Sequence, residues 1–290
     1  MPSVILTVLV FAPAALSGIG LTYLSGLDLR LEERLAVAVP LGALVVGLSG
    51  WVTGHFLGFD LTSLSLSLLV AVGASLPGWT RSGGAPVIAA DARDLWRRVR
   101  LPVRSSESLL PLVILLAVAW PLTARILALA WATTGDGGLA TGHLSTWSDG
   151  SAHLAYAGRF VVGGEVPIDS PIAAGEPARY HLLADFFAAQ VSLLGISLPS
   201  ALAVSSGYLA LAVPAILYLC GIRLTGSRGV ALVGTVLFLG GGGLGFGMLA
   251  GEVSDHGLSA LVHLPREFAR DPDSSLWIDN PTLTYLYAQR

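Results

Sequence analysis

Long runs of apolar residues alternate with shorter polar segments along the whole chain. Each run approaches the roughly 20 residues that a helix needs to cross a hydrocarbon layer about 30 Å thick. Because lipid offers the backbone no hydrogen-bond partner, separate runs of this length are predicted to be helices. The predicted spans are residues 4–24, 35–58, 61–79, 109–133, 198–222 and 230–250. The pattern therefore predicts an all-α fold, a polytopic membrane helix bundle of about six transmembrane helices.

Composition supports a membrane protein. The chain is 53% hydrophobic and only 12% charged, whereas soluble domains have about 25% charged residues. A net charge of −3 gives no indication of a nucleic-acid partner. No basic residue precedes Arg30, so the first run lacks the basic segment of a cleaved signal peptide and is predicted to be retained.

Arginine, the only basic residue type apart from histidine, sets the predicted orientation. Six of the sixteen arginines lie in the segment 80–107, which the positive-inside rule places in the cytoplasm. Alternation then puts the loops that carry Arg30 and Arg223 inside, and the N-terminus and the segment 134–197 outside. Within the arginine-rich segment, residues 91–103 indicate either a short interfacial element or a solvated basic loop. The predicted location is the inner (plasma) membrane, crossed several times.

These boundaries divide the chain into three parts. Residues 1–79 are predicted to be N-terminal transmembrane helices, and residues 80–107 a cytoplasmic arginine-rich loop. Residues 108–290 form the remaining membrane portion, with the long outer loop at 134–197. This loop far exceeds the two to eight residues that usually connect helices, which favours a functional role.

Two stretches of the outer loop carry apolar residues at helical spacing. They are residues 148–162 and 178–194, and both are predicted to be amphipathic helices that lie on the membrane surface. Glycine and proline residues between them, among them Gly164 and Pro167, predict a turn that folds the loop back on itself.

Asp149 and His153 are the leading candidate catalytic residues of this loop. Their spacing of four places both on one face of a helix, where they can act on one reacting atom or bind one metal ion. Two simpler interpretations remain open, since Asp149 is also suited to capping a helix and His153 to an interface. Similarly, His181 follows Tyr180 in a manner that suits an aromatic belt at the membrane surface.

Several short motifs occur in order from this point to the end of the chain. They are Trp147-Ser148-Asp149-Gly150-Ser151-Ala152-His153-Leu154, Gly163-Gly164-Glu165-Val166-Pro167, Pro171, Gly175, Tyr180-His181 and Asp279-Asn280-Pro281-Thr282. The series resembles GT-C type glycosyltransferases, integral membrane enzymes that use polyprenyl-phosphate sugar donors, and above all their first extracytoplasmic loop. The chain departs from the pattern at Gly150, where many members have a second acidic residue.

The resemblance implies roles for particular residues. Asp149 would act as the base on an acceptor hydroxyl, or would bind a divalent metal ion, Mg²⁺ or Mn²⁺, together with His153. Arg159, Arg179, Tyr180 and His181 would bind substrate, the arginines at the donor phosphate. The acceptor would be a glycan, a lipid or a protein.

The family usually has at least seven core helices, more than this chain shows. We therefore expect the chain to be an N-terminal portion of a longer, large bacterial member. A transporter or lipid flippase component without covalent chemistry is the alternative. That alternative favours charges inside the spans, and Arg125 is the one clear case in the sequence.

Overall fold

The computed structural model describes residues 5–81, 83–136, 138–141, 149–173, 175–240 and 245–261, and within them the chain is mostly helical. The helices are α1 Val8–Leu24, α2 Leu31–Leu57, α3 Leu61–Arg81, α4 Ala85–Val99, α5 Leu110–Ala130, α6 Ser151–Gly163, α7 Leu183–Ser192, α8 Leu198–Ala210, α9 Val213–Thr225, α10 Arg228–Gly240 and α11 Gly245–His256. A 3₁₀ turn, Leu258–Leu261, follows α11. Between α5 and α6, β1 Trp131–Thr133 pairs antiparallel with β2 Leu139–Thr141.

Four helical segments are long and apolar enough to cross a membrane. They are Leu31–Leu57, Leu61–Thr80, Leu110–Ala128 and the consecutive α8 and α9, Leu198–Thr225. Val8–Leu24 and Arg228–Leu239 are apolar but shorter. The prediction of an all-α fold is confirmed, and the apolar helices suggest a membrane protein, while the count of six spans stays a prediction.

Helices α1 and α2 pack at backbone distance through small residues. A Cβ atom on Gly18 would lie 2.0 Å from the carbonyl oxygen of Ala38, and one on Gly42 would lie 1.9 Å from that of Ala14. Only glycine permits this approach, which is typical of helix pairs that associate without a hydrophobic driving force.

Helices α1, α2 and α3 bury several hydroxyl groups among apolar side chains, and their outer surface carries large apolar side chains. Ser17 Oγ donates to the carbonyl of Ala71 at 2.8 Å, and Thr53 Oγ1 donates to that of Ser63 at 3.0 Å. By contrast, Leu69 is 69% exposed. A protein with large apolar side chains outside and hydrogen-bonded hydroxyls inside suits a lipid environment better than water.

One end of the bundle, which we call the arginine end, is held by ion pairs among α2, α4 and α9. Buried Arg98 of α4 bonds Glu32 of α2 at 2.5 Å, and Arg223 of α9 bonds Glu33 at 2.6 Å. Of the two alternatives for residues 91–103, a short interfacial element agrees better with the structure, in which Ala85–Val99 is helical. Apolar residues of this helix, including Leu95, pack against the α5 and α9 cluster, which explains why it folds onto the bundle. The cytoplasmic location of the segment 80–107 stays a prediction.

Three predicted spans differ in detail. Helix α5 stops at Ala130 because the aromatic and β-branched residues of Trp131–Thr133 extend into the hairpin, which the all-α prediction missed. Pro214, at the start of α9, separates that helix from α8. The last predicted span is represented by α10 and α11, and residues 241–244 between them lie outside the described residues.

Helices α6 and α7 cover the opposite end of the bundle, which we call the loop end. His55 of α2 shares a hydrogen bond of 2.9 Å between Nδ1 and the carbonyl of Val166. Phe186 of α7 packs between Phe59 and Phe160. Seven consecutive residues of α7, 185–191, are buried, so this helix is enclosed by protein and is not the surface-lying helix that the sequence predicted.

Candidate functional site

Helix α6 carries His153 into the interior at the loop end. His153, Tyr156, Ala157 and Phe160 recur at helical spacing and form the buried face of the helix. The helix ends at Gly164, whose φ of 68° is easily adopted only by glycine. His153 is only 4% exposed, so its ring belongs to the protein interior.

The partner of His153 is Asp185, a residue of α7 that is fully buried. Asp185 Oδ1 lies 2.7 Å from His153 Nδ1, so the carboxyl group and the imidazole share a hydrogen bond across the two helices. Asp185 Oδ2 has no hydrogen-bond partner among the described residues. A buried carboxyl group satisfied on one side only is costly, and such groups often mark functional sites.

Burial is the largest influence on the pKa of Asp185 and raises it, because the charged form loses its hydration. His153, through its hydrogen bond and charge, and His181, through charge alone, act in the opposite direction. The net pKa of Asp185 lies above its ordinary value of 3.8.

A stack of aromatic rings borders this pair. Tyr180 lies parallel to Tyr156 with ring centroids 5.0 Å apart, and His181 stacks on Tyr180 at 3.9 Å. The rings of His153 and Tyr180 are 5.9 Å apart. The structure therefore brings three of the predicted site residues, His153, Tyr180 and His181, to one place with Asp185 and Tyr156.

A small cleft opens beside His153, between α5, α6 and α8. Its lining residues are Leu127, Ala130, Trp131, Gly150, His153, Leu202, Ala203 and Ser206. The cleft has a volume of about 10 Å³, room for one water-sized group, whereas pockets that enclose whole ligands have roughly 300–1,000 Å³. It is suited to receiving one group of a larger molecule.

Asp149 and Gly150 have π-helical conformation immediately before α6, and Asp149 is half-buried. Gly150 precedes the first residue of α6 and has no side chain to cap it, so the interpretation of Asp149 as a helix cap stays open beside the catalytic one. Arg159 is half-buried and Arg179 is exposed. Neither arginine forms an ion pair within the described ranges, and their role at a donor phosphate stays a prediction.

The predicted metal site receives no structural support from its geometry. Where the structure describes the chain, it has no group of three or more His, Cys, Asp or Glu side chains that could hold an ion. His153 Nδ1 is engaged by Asp185, which leaves Nε2 as its one ligand atom. An imidazole is also not among the oxygen ligands that Mg²⁺ prefers, so the residues fit Mg²⁺ poorly. Binding of a metal ion by Asp149 and His153 stays a prediction.

Sequence reasoning did not select Asp185 as a site residue. The signal was present, because Asp185 is the one charged residue of the helix LADFFAAQVS and directly precedes Phe186 and Phe187. Aspartate is seldom fully buried unless it has a partner. Its partner is 32 positions away along the chain, a pairing that helical periodicity does not reveal.

Parts of the motifs that resemble GT-C enzymes, residues 147–148 and 279–282, lie outside the described residues. Comparisons with protein families, curated proteins and solved structures find no match for this chain. The case for a function therefore depends on the geometry at the loop end and on the residues themselves.

Proposed function

We propose that this chain belongs to a membrane glycosyltransferase that transfers a sugar from a polyprenyl-phosphate donor to an acceptor at the extracytoplasmic face. The observation that carries the proposal is the buried hydrogen bond between His153 and Asp185 beside an open cleft at the loop end. Polar groups are costly in such a place, so their presence beside a cleft favours a functional role over a packing role.

The proposed chemistry uses the acceptor hydroxyl as nucleophile. A bond forms between the acceptor oxygen and the anomeric carbon, the bond from that carbon to the phosphate oxygen breaks, and the lipid phosphate leaves. Asp149 accepts the hydroxyl proton as general base, from a position immediately before α6. Arg159 and Arg179 contact the donor phosphate, which matches the fork of the guanidinium group. No step requires a metal ion.

The proposed topology has six crossings, formed by α1, α2, α3, α5, the pair α8–α9, and α10 with the residues that follow it. The positive-inside rule puts the arginine end in the cytoplasm. Contacts at that end support the grouping, because Arg228 Nη1 donates to the carbonyl of Ser105 at 2.5 Å. Segments from three separate arginine-rich regions thus meet on one side.

The proposal is tested by transfer of a radiolabelled sugar from a polyprenyl-phosphate donor in membranes that contain the chain in its natural setting. The test compares Asp149→Asn with Asp169→Asn, a matched change at an exposed carboxylate of the same loop. General-base catalysis contributes about 10²–10⁴-fold. We expect Asp149→Asn to lower turnover by about that factor while cross-linking to a photoactivatable polyprenyl phosphate is retained.

Equal turnover in both variants would contradict the role of Asp149. Movement of the lipid between leaflets with no sugar transfer would overturn the transferase proposal and favour a flippase component instead. Asp169→Asn is expected to match the parent protein in both measurements, because its side chain lies on the surface of the loop.

A further inference from the structure

The buried hydrogen bond between His153 and Asp185 is not required for packing α6 on α7. Both side chains are buried, and replacing a buried polar pair by apolar residues of similar size is often neutral or stabilising. The aromatic cluster around Phe160 and Phe186 already supplies apolar contact between α6 and α7. The hydrogen bond is therefore unnecessary for joining the two helices.

The hydrogen bond has a chemical consequence for the ring of His153. A neutral imidazole has one protonated nitrogen, and the partner at one nitrogen determines the state of the other. Asp185 accepts at Nδ1 when it is ionised, which holds the proton on Nδ1. Nε2 is then a free acceptor.

The cleft limits what Nε2 can meet. His153 lines it, and the other polar side chains on its walls are Ser206 and the indole of Trp131. The remaining lining residues are glycine, alanine and leucine, so among the described residues no charged side chain lines the cleft beside the imidazole. A ligand group that suits this environment is uncharged, small and able to donate a hydrogen bond, and an alcohol hydroxyl meets all three conditions.

We propose that His153 Nε2 is a hydrogen-bond acceptor for a ligand hydroxyl in this cleft, and that Asp185 is a positioning residue that maintains the required tautomer. The inference rests on the proposed function in one respect, since it takes the hydroxyl to be that of a sugar or its acceptor. It places a ligand contact at the cleft, separate from the base at Asp149, and gives Asp185 a role.

The test replaces Asp185 by each of two residues of similar size that differ in their ability to accept a hydrogen bond. Asp185→Asn retains an oxygen that accepts from Nδ1–H, whereas Asp185→Leu removes the acceptor. The ring nitrogens of His153 are observed by ¹⁵N NMR of histidine-labelled chain in lipid nanodiscs, and their signals are assigned by their loss in His153→Gln. We expect the Nδ1–H tautomer in the parent and in Asp185→Asn, and the Nε2–H tautomer in Asp185→Leu.

Binding is measured on the same samples with methyl glucoside as the probe. We expect the sugar to shift the Nε2 signal in the parent, and Asp185→Leu to bind it about tenfold more weakly, as follows from losing one hydrogen bond of about 1.4 kcal/mol. In the transfer assay, the same variant should raise KM for the acceptor about tenfold while kcat changes less than about twofold. If the role of Asp185 were purely structural, Asp185→Leu would leave the tautomer of His153 unchanged and would not raise KM while leaving kcat nearly constant.

The outcomes separate this inference from the proposed function. An Nε2–H tautomer in the parent, or tautomer and KM unchanged in Asp185→Leu, would overturn the role of Asp185 even if sugar transfer is observed. Conversely, a tautomer that depends on Asp185 and a signal that responds to methyl glucoside would support the hydroxyl site even if no transfer occurs.

Discussion

At the residue scale, the environment of Asp185 decides how the loop end responds to pH. The carboxyl group is buried in α7, and two histidines face it, His153 from α6 and His181 from the segment before α7. Burial raises its pKa, so the folded protein binds this proton more tightly than the unfolded chain does. The stability that the protonated group contributes is fully present below the unfolded value of 3.8 and is lost as pH rises through the higher folded pKa.

We therefore predict that, as pH rises from 3.8 through the higher folded pKa of Asp185, the free energy of unfolding of the parent falls relative to that of Asp185→Asn. The variant has no carboxyl group to ionise. The measurement is thermal unfolding in detergent at a series of pH values, parent against variant. Parallel curves for the two proteins would show that the carboxyl group does not titrate differently in the folded state.

Asp185 also shows where sequence reasoning stopped. Asp149 and His153 were selected because they share a helical face within one stretch, and the structure confirms that α6 carries His153. The residue that determines the chemistry of His153 comes from another helix, and tertiary packing, which no local period encodes, brings the two together.

At the element scale, close contact between α1 and α2 depends on glycine. A Cβ at position 42 would meet the backbone oxygen of Ala14 at 1.9 Å, so the helices must separate to admit it. Overpacking of this kind costs about 1–3 kcal/mol. We predict that Gly42→Ala lowers the melting temperature in detergent.

Gly73→Ala is the matched control, since a Cβ there meets nothing within 4 Å and alanine is the better helix former. This control should melt at or slightly above the temperature of the parent. Equal melting temperatures for the two alanine variants would contradict the packing of α1 on α2.

A second element-scale prediction concerns the ion pair that fixes α4. Arg98 and Glu32 are 6% and 7% exposed, so Arg98→Met leaves the Glu32 carboxylate buried and without its arginine. Removing one member of a buried pair costs about 3–5 kcal/mol. We predict a large loss of stability, partly recovered when Glu32→Met is added to Arg98→Met.

Arg97 provides the control on the same helix. Its ion pairs with Asp94 and Glu107 are at the surface, where the arginine side chain is 54% exposed, and such pairs contribute about 0–1 kcal/mol. Arg97→Met is therefore expected to melt close to the parent. A loss as large as that of Arg98→Met would show that burial is not what distinguishes the two arginines.

At the scale of the whole molecule, hydropathy predicted a helical membrane protein because the length and composition of each apolar run are local properties. The hairpin after α5 was not predicted, and the helix Ala85–Val99 was foreseen only as one of two alternatives for residues 91–103, since both depend on where polar segments fold back on the bundle. Burial of α7 was missed for a related reason. Its apolar face predicted a helix that lies on the membrane surface, but the helix also packs against α2 and α8.

The proposed topology requires the loop end to face the extracytoplasmic side and the arginine end to face the cytoplasm. Single cysteines test this directly, once the exposed natural cysteine is removed by Cys220→Ser. Glu176→Cys reports on the loop end and Ser106→Cys on the arginine end, and both positions are exposed. The measurement is labelling of intact cells with a membrane-impermeant maleimide. We expect labelling at position 176 and none at position 106 until the cells are opened, whereas labelling at 106 alone in intact cells would contradict the proposed topology.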